Sequence, residues 1–177
     1  EMAATDEMVS IALRHLPHAC CLVPERREER TTEGGLDVAA GGDGLRSVVD
    51  QLKAAGIRVS LFIEADEKTI EAAARIGADI VELHTGTYCE RALEDNAAGV
   101  AAELERLKHA ACLADNAGLE VHAGHGLTYN TVKAVARLPE VRELNIGHFL
   151  IGESIFCGLT AAVQHMRALM EQARREA

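Results

Sequence analysis

Short apolar runs alternate along the chain with longer segments in which apolar residues recur every three or four positions. The runs have the length and composition of β-strands and lie at 19–23, 58–63, 80–85, 120–124 and 141–146, with residues 1–4 reading as the end of a sixth strand. Helical periodicity with capping residues predicts helices that begin after Thr5 and that span 44–55, 66–76, 89–116 (in one or two pieces), 131–138 and 148–175. Strands that alternate with helices in this way form βαβ units, so the pattern predicts a parallel sheet.

The nearly continuous apolar character of the strands predicts a sheet that is buried on both faces. An open doubly wound sheet and a (β/α)8 TIM barrel both satisfy this pattern. Glycines and histidines collect at the last two strands, where barrels place a phosphate site, which favours the barrel. A barrel needs eight strands and typically about 250 residues. The 177 residues therefore predict a single domain over 1–177, an incomplete barrel of about six parallel strands that lacks the first two βα units.

The amino-acid composition argues against nucleic acid and membranes as binding partners. A formal net charge of −10 argues against nucleic acid, because the chain offers no basic field for a phosphate backbone. No apolar run is long enough to span a membrane, and no signal peptide opens the sequence. The five cysteines form no evident disulfide framework and are interpreted as reduced core thiols. These features predict a cytoplasmic protein whose ligands are small molecules.

The segment 25–43 is the longest predicted connection and is rich in charged residues, threonine and glycine. Connections of this length in compact domains are often active-site lids or disordered segments. We therefore expect a lid over this range, next to the strand 19–23.

The ends of two neighbouring strands carry the strongest chemical signal. His125 lies between Gly124 and Gly126, and His148 follows Gly147 directly after the last strand. Bare backbone N–H groups beside an imidazole suit a phosphate next to a proton donor. His125 is therefore the candidate general acid or base, and the backbone at His148 is a candidate phosphate donor.

Other polar residues fall on the same predicted strands. Glu82 and His84 are two positions apart and point to one face, which in a barrel is the lumen. Glu82 is either a functional carboxylate or the partner of a buried cation, and His84 and His122 are either functional or structural. Together with His125 and His148 these groups are chemically able to hold zinc, although glycines around His125 suit an anion better. We therefore expect no metal at this site.

Seven blocks, in order along essentially the whole chain, carry a resemblance to a known family. They are Glu1-Met2-Ala3, CLVPE at 21–25, TTEGGLDV at 31–38, VSLFI at 59–63, ELHTG at 82–86, HAGHGL at 122–127 and LNIGH at 144–148. This set resembles the pyridoxine 5'-phosphate synthase family of vitamin B6 biosynthesis. The resemblance implies a TIM barrel without metal or organic cofactor, a transferase that assembles into oligomers built from dimers, up to an octamer. It also implies condensation of 3-amino-2-oxopropyl phosphate with 1-deoxy-D-xylulose 5-phosphate, giving pyridoxine 5'-phosphate, phosphate and water.

The resemblance also implies roles for single residues. Glu1 is similar to a catalytic general base, His125 to the general acid and Glu82 to the group that stabilises charge in the transition states. Thr31 resembles a contact to the deoxyxylulose phosphate substrate, in a loop that closes over the site. The remaining implied contacts, to the aminooxopropyl phosphate, are Gly126, Gly147 and His148.

Some features of the family pattern are missing from this sequence. The family's Asn-x-Asp-His motif on the first strand and its His-x-Arg motif after the second strand are absent, so we expect the 177-residue chain alone to be inactive. Glu153 stands where the family pattern has Arg. The alternatives are an inactive fragment or half-barrel that binds phosphate or assembles, and another phosphate-binding TIM-barrel isomerase or lyase.

Overall fold

The computed structural model describes residues 1–24 and 34–177. Its six strands are β1 (Met2–Ala3), β2 (Ala19–Val23), β3 (Arg58–Ile63), β4 (Ile80–His84), β5 (Glu120–Gly124) and β6 (Val141–Asn145). They pair in sequence order, and every pairing is parallel. The sheet that the described residues form is open, with β1 and β6 at its edges. The predicted α/β class and six-stranded incomplete barrel are confirmed.

Eight helices connect or follow these strands in the described part of the chain. They are α1 (Asp6–His15), α2 (Val38–Ala54), α3 (Glu67–Ile76), α4 (Gly86–Leu93), α5 (Ala97–Asn116), α6 (Val132–Ala136), α7 (His148–Cys157) and α8 (Leu159–Arg175). Local capping explains several boundaries: the Thr5 and Asp66 side chains accept hydrogen bonds from the first turns of α1 and α3. Gly77, at φ 88°, ends α3 in the left-handed conformation that glycine adopts without steric cost.

The main error in the predicted elements concerns the segment before α2. Residues 38–43 were expected to belong to the long connection, but α2 begins at Val38 and is kinked at Gly42. The Asp37 side chain caps it by accepting a hydrogen bond from Ala40 N at 2.9 Å, and Val38 is buried. Capping and burial here outweigh the low helix propensity of the glycines. Of the rest of the expected lid, residues 34–37 form neither helix nor strand, and residues 25–33 lie outside the described residues.

The last predicted helix is divided, since Gly158 at φ 82° separates α7 from α8. The predicted burial of strands on both faces is confirmed for β3, β4 and β5. It is wrong for β6, where Arg142 and Glu143 are exposed because no further strand or helix of the described chain covers that edge. The cysteines are free as expected, but Cys112 and Cys157 are exposed and are not core thiols.

The two faces of the sheet differ in chemistry. One face consists of aliphatic side chains that are at most 1% exposed and that belong to the main core: Leu61, Ile63, Val81, Leu83, Val121 and Ala123. The opposite face carries polar or aromatic side chains at the alternate positions: Ser60, Phe62, Glu82, His84 and His122. The period of two in a strand produces this separation. The aliphatic face fixes the sheet, and the polar face is available for chemistry.

Side-chain contacts show how strongly the sheet curves. Glu82 on β4 is within hydrogen-bond distance of Cys21 on β2 and of Asn145 on β6. In a flat sheet, strands two apart lie about 10 Å from each other, which is too far for these contacts. Layers built from alternate strands are the packing of a TIM-barrel interior. The six strands therefore have the curvature of a barrel wall, and their polar face is its inner face.

Candidate active site

A cavity of about 770 Å³ opens at the carboxyl ends of β4, β5 and β6. Its volume lies in the range of about 300–1,000 Å³ that is usual for small-molecule sites. The lining residues are Glu1, Phe62, Glu82, His125, Gly126, Leu127, Thr128, Asn145, Ile146, Gly147, His148 and Phe149. Six of the seven residues to which the resemblance assigns a role therefore meet in one cavity. The seventh, Thr31, lies outside the described residues.

Glu82 is the most buried acid of this cavity, with 8% of its surface exposed. Its Oε2 accepts hydrogen bonds from Asn145 Nδ2 at 2.7 Å and from Cys21 Sγ at 3.6 Å. Burial raises the pKa of the Glu82 carboxyl and the nearby Glu1 adds to that rise, whereas the two hydrogen bonds lower it. Glu82 is thus a desolvated carboxyl whose charge is supported by donors from two other strands.

His125 is held by an unusual backbone. Its φ of 79° lies in the left-handed region, which few residues with a side chain adopt, and Gly126 follows at φ 80°. The Thr85 hydroxyl lies 2.7 Å from the Gly124 carbonyl oxygen and 2.6 Å from the His125 carbonyl oxygen. The buried Thr85 therefore fixes this turn. Backbone strain held in place by surrounding contacts is typical of functional sites.

The imidazole of His125 lies beside two other rings. The ring centroids of His84 and Phe62 are 4.9 and 6.2 Å from that of His125. His84 does not line the cavity. Its ring packs against the rings of His125 and Phe62, the latter on β3.

A hydrogen-bond chain links His84 to the segment that precedes α2. Glu64 Oε1 lies 3.0 Å from His84 Nδ1, and the same oxygen accepts the Gly35 N–H at 3.1 Å. The hydrogen bond from His84 lowers the pKa of the Glu64 carboxyl, so Glu64 is ionised at neutral pH and His84 Nδ1 carries the donated proton. His84 Nε2 is buried and has no hydrogen-bond partner among residues 1–24 and 34–177.

His122 occupies a different layer of the inner face. Its Nε2 lies 2.8 Å from Glu120 Oε1 and its Nδ1 lies 3.5 Å from Glu143 Oε1. Glu120 also pairs with Arg58 at 2.8 Å. The sequence left the role of His122 open, and the structure places its ring between Glu120 and Glu143, at the β5 position in register with Glu82.

The Gly147-His148 segment forms the far wall of the cavity. Gly147 is the N-cap of α7 and makes no side-chain cap, so the first backbone N–H groups of this helix have no capping side chain. The His148 side chain is exposed. Such a helix start is able to receive a phosphate oxygen. Among residues 1–24 and 34–177, no three metal-ligating side chains gather closely enough to hold a metal ion.

Sequence reasoning missed Cys21, Asn145, Glu64 and Thr85 as parts of the site. Cys21 was interpreted only as a core thiol, and Asn145 only as part of a strand. Both lie at inner-face positions near the carboxyl ends of alternate strands, so a layer-by-layer reading of the barrel was the signal that would have found them.

The fold and the site define the class: an α/β barrel-type protein in which acids, imidazoles and a helix start without a capping side chain converge at the carboxyl ends of parallel strands. The family model described as pyridoxal phosphate biosynthesis protein PdxJ matches residues 1–172, and the chain belongs to this family. A relative in Caulobacter sp. (strain K31) is 62% identical over 176 residues, covering 99% of this chain and 70% of that protein. A relative in Jannaschia sp. (strain CCS1) is 64% identical over 174 residues, covering 98% of this chain and 70% of that protein. Both relatives are named pyridoxine 5'-phosphate synthase.

Proposed function

We propose that the protein is a pyridoxine 5'-phosphate synthase, which condenses 3-amino-2-oxopropyl phosphate with 1-deoxy-D-xylulose 5-phosphate. The supporting observation is that family membership coincides with one cavity that is lined by Glu1, Glu82, His125 and the Gly147-His148 helix start. We further propose that residues 1–177 act as one domain, that its ligands are small phosphorylated molecules, and that it works in the cytoplasm. The described residues contain no helix that is both long and apolar enough to cross a membrane.

The proposed chemistry requires several proton transfers around one flat intermediate. Imine formation, loss of water and ring closure each need an acid or a base at a different atom. His125 supplies an imidazole on a fixed backbone, and Glu1 supplies an exposed carboxyl group that lines the same cavity. Glu82 supplies negative charge in a buried position, where an electrostatic interaction with a developing cation is strong. Holding both substrates between these groups removes the entropic cost of a bimolecular encounter.

The phosphate groups have candidate contacts at the rim. Gly126 and the start of α7 line the cavity, and backbone N–H donors at such positions bind anions without needing a basic side chain. This is important for a chain with a net charge of −10, which offers no general attraction to phosphate. Thr31 is proposed as a further substrate contact from the resemblance alone.

The test is formation of pyridoxine 5'-phosphate by the complete gene product, followed with both substrates and with each substrate omitted. Product only from the complete mixture supports the proposal. Product from a single substrate indicates another barrel isomerase or lyase, and absence of product from the complete mixture refutes the synthase assignment. The variant H125A should lose turnover, whereas H109A, which removes an exposed histidine of α5, should retain it.

We also propose that the protein associates with copies of itself. In support, α7 and α8 expose a run of large apolar side chains: Ile151, Ile155, Phe156, Leu159 and Val163. Apolar patches of this kind on a soluble surface usually mark interaction sites. Analytical ultracentrifugation should give a mass above that of one chain, and the variant I155S/F156S should sediment more slowly. A single-chain mass at all concentrations contradicts the proposal.

A further inference from the structure

One carboxyl oxygen of Glu82 accepts hydrogen bonds from Cys21 and Asn145, to which neither the sequence nor the comparisons assign a role. We infer that Cys21 and Asn145 are positioning residues that fix the orientation and the charge of the Glu82 carboxylate. The inference rests on the proposed function only in giving Glu82 a part in the reaction.

The geometry shows that this arrangement comes from the barrel layer. Asn145 Nδ2 and Cys21 Sγ approach the same oxygen, Oε2, at 2.7 and 3.6 Å, from strands on either side of β4. The other oxygen, Oε1, occupies the space above Gly124, where an added Cβ would lie 2.2 Å from it. Oε2 is therefore hydrogen-bonded from two sides, and Oε1 fits where it does because Gly124 has no side chain.

Because of their protonation states, Cys21 and Asn145 act as hydrogen-bond donors to Glu82. Burial raises the pKa of the Cys21 thiol to about 12, and the charge of Glu82 contributes to that rise. The thiol therefore stays protonated and donates throughout any assay range, and the Asn145 amide does not titrate. Two donors on one carboxylate oxygen favour its ionised form and oppose the effect of burial.

Other charged groups also act on Glu82. Glu1, which lies on the same side of the sheet, disfavours its ionisation, and His122 on β5 favours it. His125 and His148 line the same cavity. A pH profile of the reaction therefore has several contributors, and the contribution of Glu82 must be isolated by observing its own carboxyl group.

The first experiment measures that carboxyl group without turnover. Protein labelled with ¹³C at the glutamate carboxyls is titrated by NMR, and the Glu82 resonance is identified by its loss in E82Q. Removing a donor should raise the Glu82 pKa, by about one unit in N145A and by less in C21A, in which the longer and weaker of the two bonds is lost. An unchanged Glu82 pKa in both variants overturns the inference.

The chain provides a matched control. Asn116 Nδ2 lies 3.4 Å from Cys112 Sγ on the exposed surface of α5, so N116A and C112A remove the same types of group at a distance from the cavity. Both controls should leave the Glu82 pKa and the kinetics unchanged. A shift of the same size in these controls indicates a general effect of the substitutions and also overturns the inference.

The second experiment is kinetic and uses the complete gene product with both substrates. N145A should lower kcat about tenfold with KM changed less than about twofold, and the acid limb of kcat should move to higher pH because more protons stay on Glu82. N145D, which is nearly isosteric and covers the case in which N145A does not fold, should shift this limb further, since two carboxyl groups then share a site. C21S keeps a donor and should retain more activity than C21A.

The possible failures are distinguishable. Equal losses of kcat in C21S and C21A, with the acid limb unmoved in every variant, indicate a purely structural role and overturn the inference. If the parent protein forms no product at all, the proposed function fails, but the carboxyl titration still decides whether Cys21 and Asn145 control Glu82.

Discussion

The backbone at His125 leads to an unusual stability prediction. At φ 79° a residue with a Cβ pays a steric cost of about 1–2 kcal/mol that glycine does not pay. Glycine gains about 0.5–1 kcal/mol more conformational freedom than alanine in the unfolded chain, which acts in the opposite direction. H125G and H125A lose the same imidazole contacts, so their difference isolates the backbone. We expect H125G to be more stable than H125A by about 1 kcal/mol.

Both variants are unfolded in urea, and their free energies of unfolding are compared with the same m value, the slope of free energy against urea concentration. In a thermal scan the difference corresponds to about 2–4 °C for a chain of this size. The control is the same pair of substitutions at His109, inside α5, where the order should reverse because glycine disfavours a helix by about 1 kcal/mol relative to alanine. An H125A protein at least as stable as H125G would refute the strain argument. Neither variant should form product, since both lack the imidazole.

Three further predictions concern the groups behind the cavity. G35A should lower the free energy of unfolding or detach the segment around Gly35 from β3, because an added Cβ would lie 2.3 Å from the Glu64 backbone nitrogen. Faster proteolytic cleavage between residues 25 and 37 than in the parent protein would show this detachment. T85V should lower the free energy of unfolding by about 1–3 kcal/mol in a urea titration, since the hydroxyl that contacts the His125 carbonyl oxygen at 2.6 Å is lost from a buried site. The Glu64 pKa is lowered in the folded state by His84, so the stabilisation it gives is present above its ordinary value of 4.5 and is lost as the pH falls through the lower folded value. E64Q should therefore show a smaller fall in Tm than the parent in that acidic range.

Local sequence signals were sufficient for most of the elements. The strand 58–63 has the boundaries that the sequence predicts, and the helix predicted over 66–76 begins one residue later because Asp66 is its cap; caps and apolar periods act within a few residues. The start of α2 was missed because a short cap at Asp37 and one buried side chain compete with a glycine-rich composition. The residues 25–33 are outside this comparison.

The site divides in the same way. The sequence alone identifies the glycine-flanked His125 and the Gly147-His148 pair, because their chemistry depends on residues that are adjacent in the chain. Asn145 and Cys21 act on Glu82 across 63 and 61 positions of the chain, and no local pattern encodes such a contact. It depends on the curvature of the sheet and on the register of its strands, so the sequence reveals it only when a barrel is assumed and its alternate strands are aligned into layers.

This dependence on curvature connects stability with chemistry. A carboxylate on the inner face of a flat sheet would be open to water, with an ordinary pKa and several orientations. Bending the sheet until alternate strands touch removes the water from Glu82, which disfavours its charge. The same bend brings Asn145 and Cys21 within reach of Oε2, and their hydrogen bonds partly offset the effect of burial on the Glu82 pKa, which stays raised, while they orient the carboxyl group. A substitution that flattens the wall at β6 should therefore release the carboxylate and normalise its pKa together, since one geometric variable controls both.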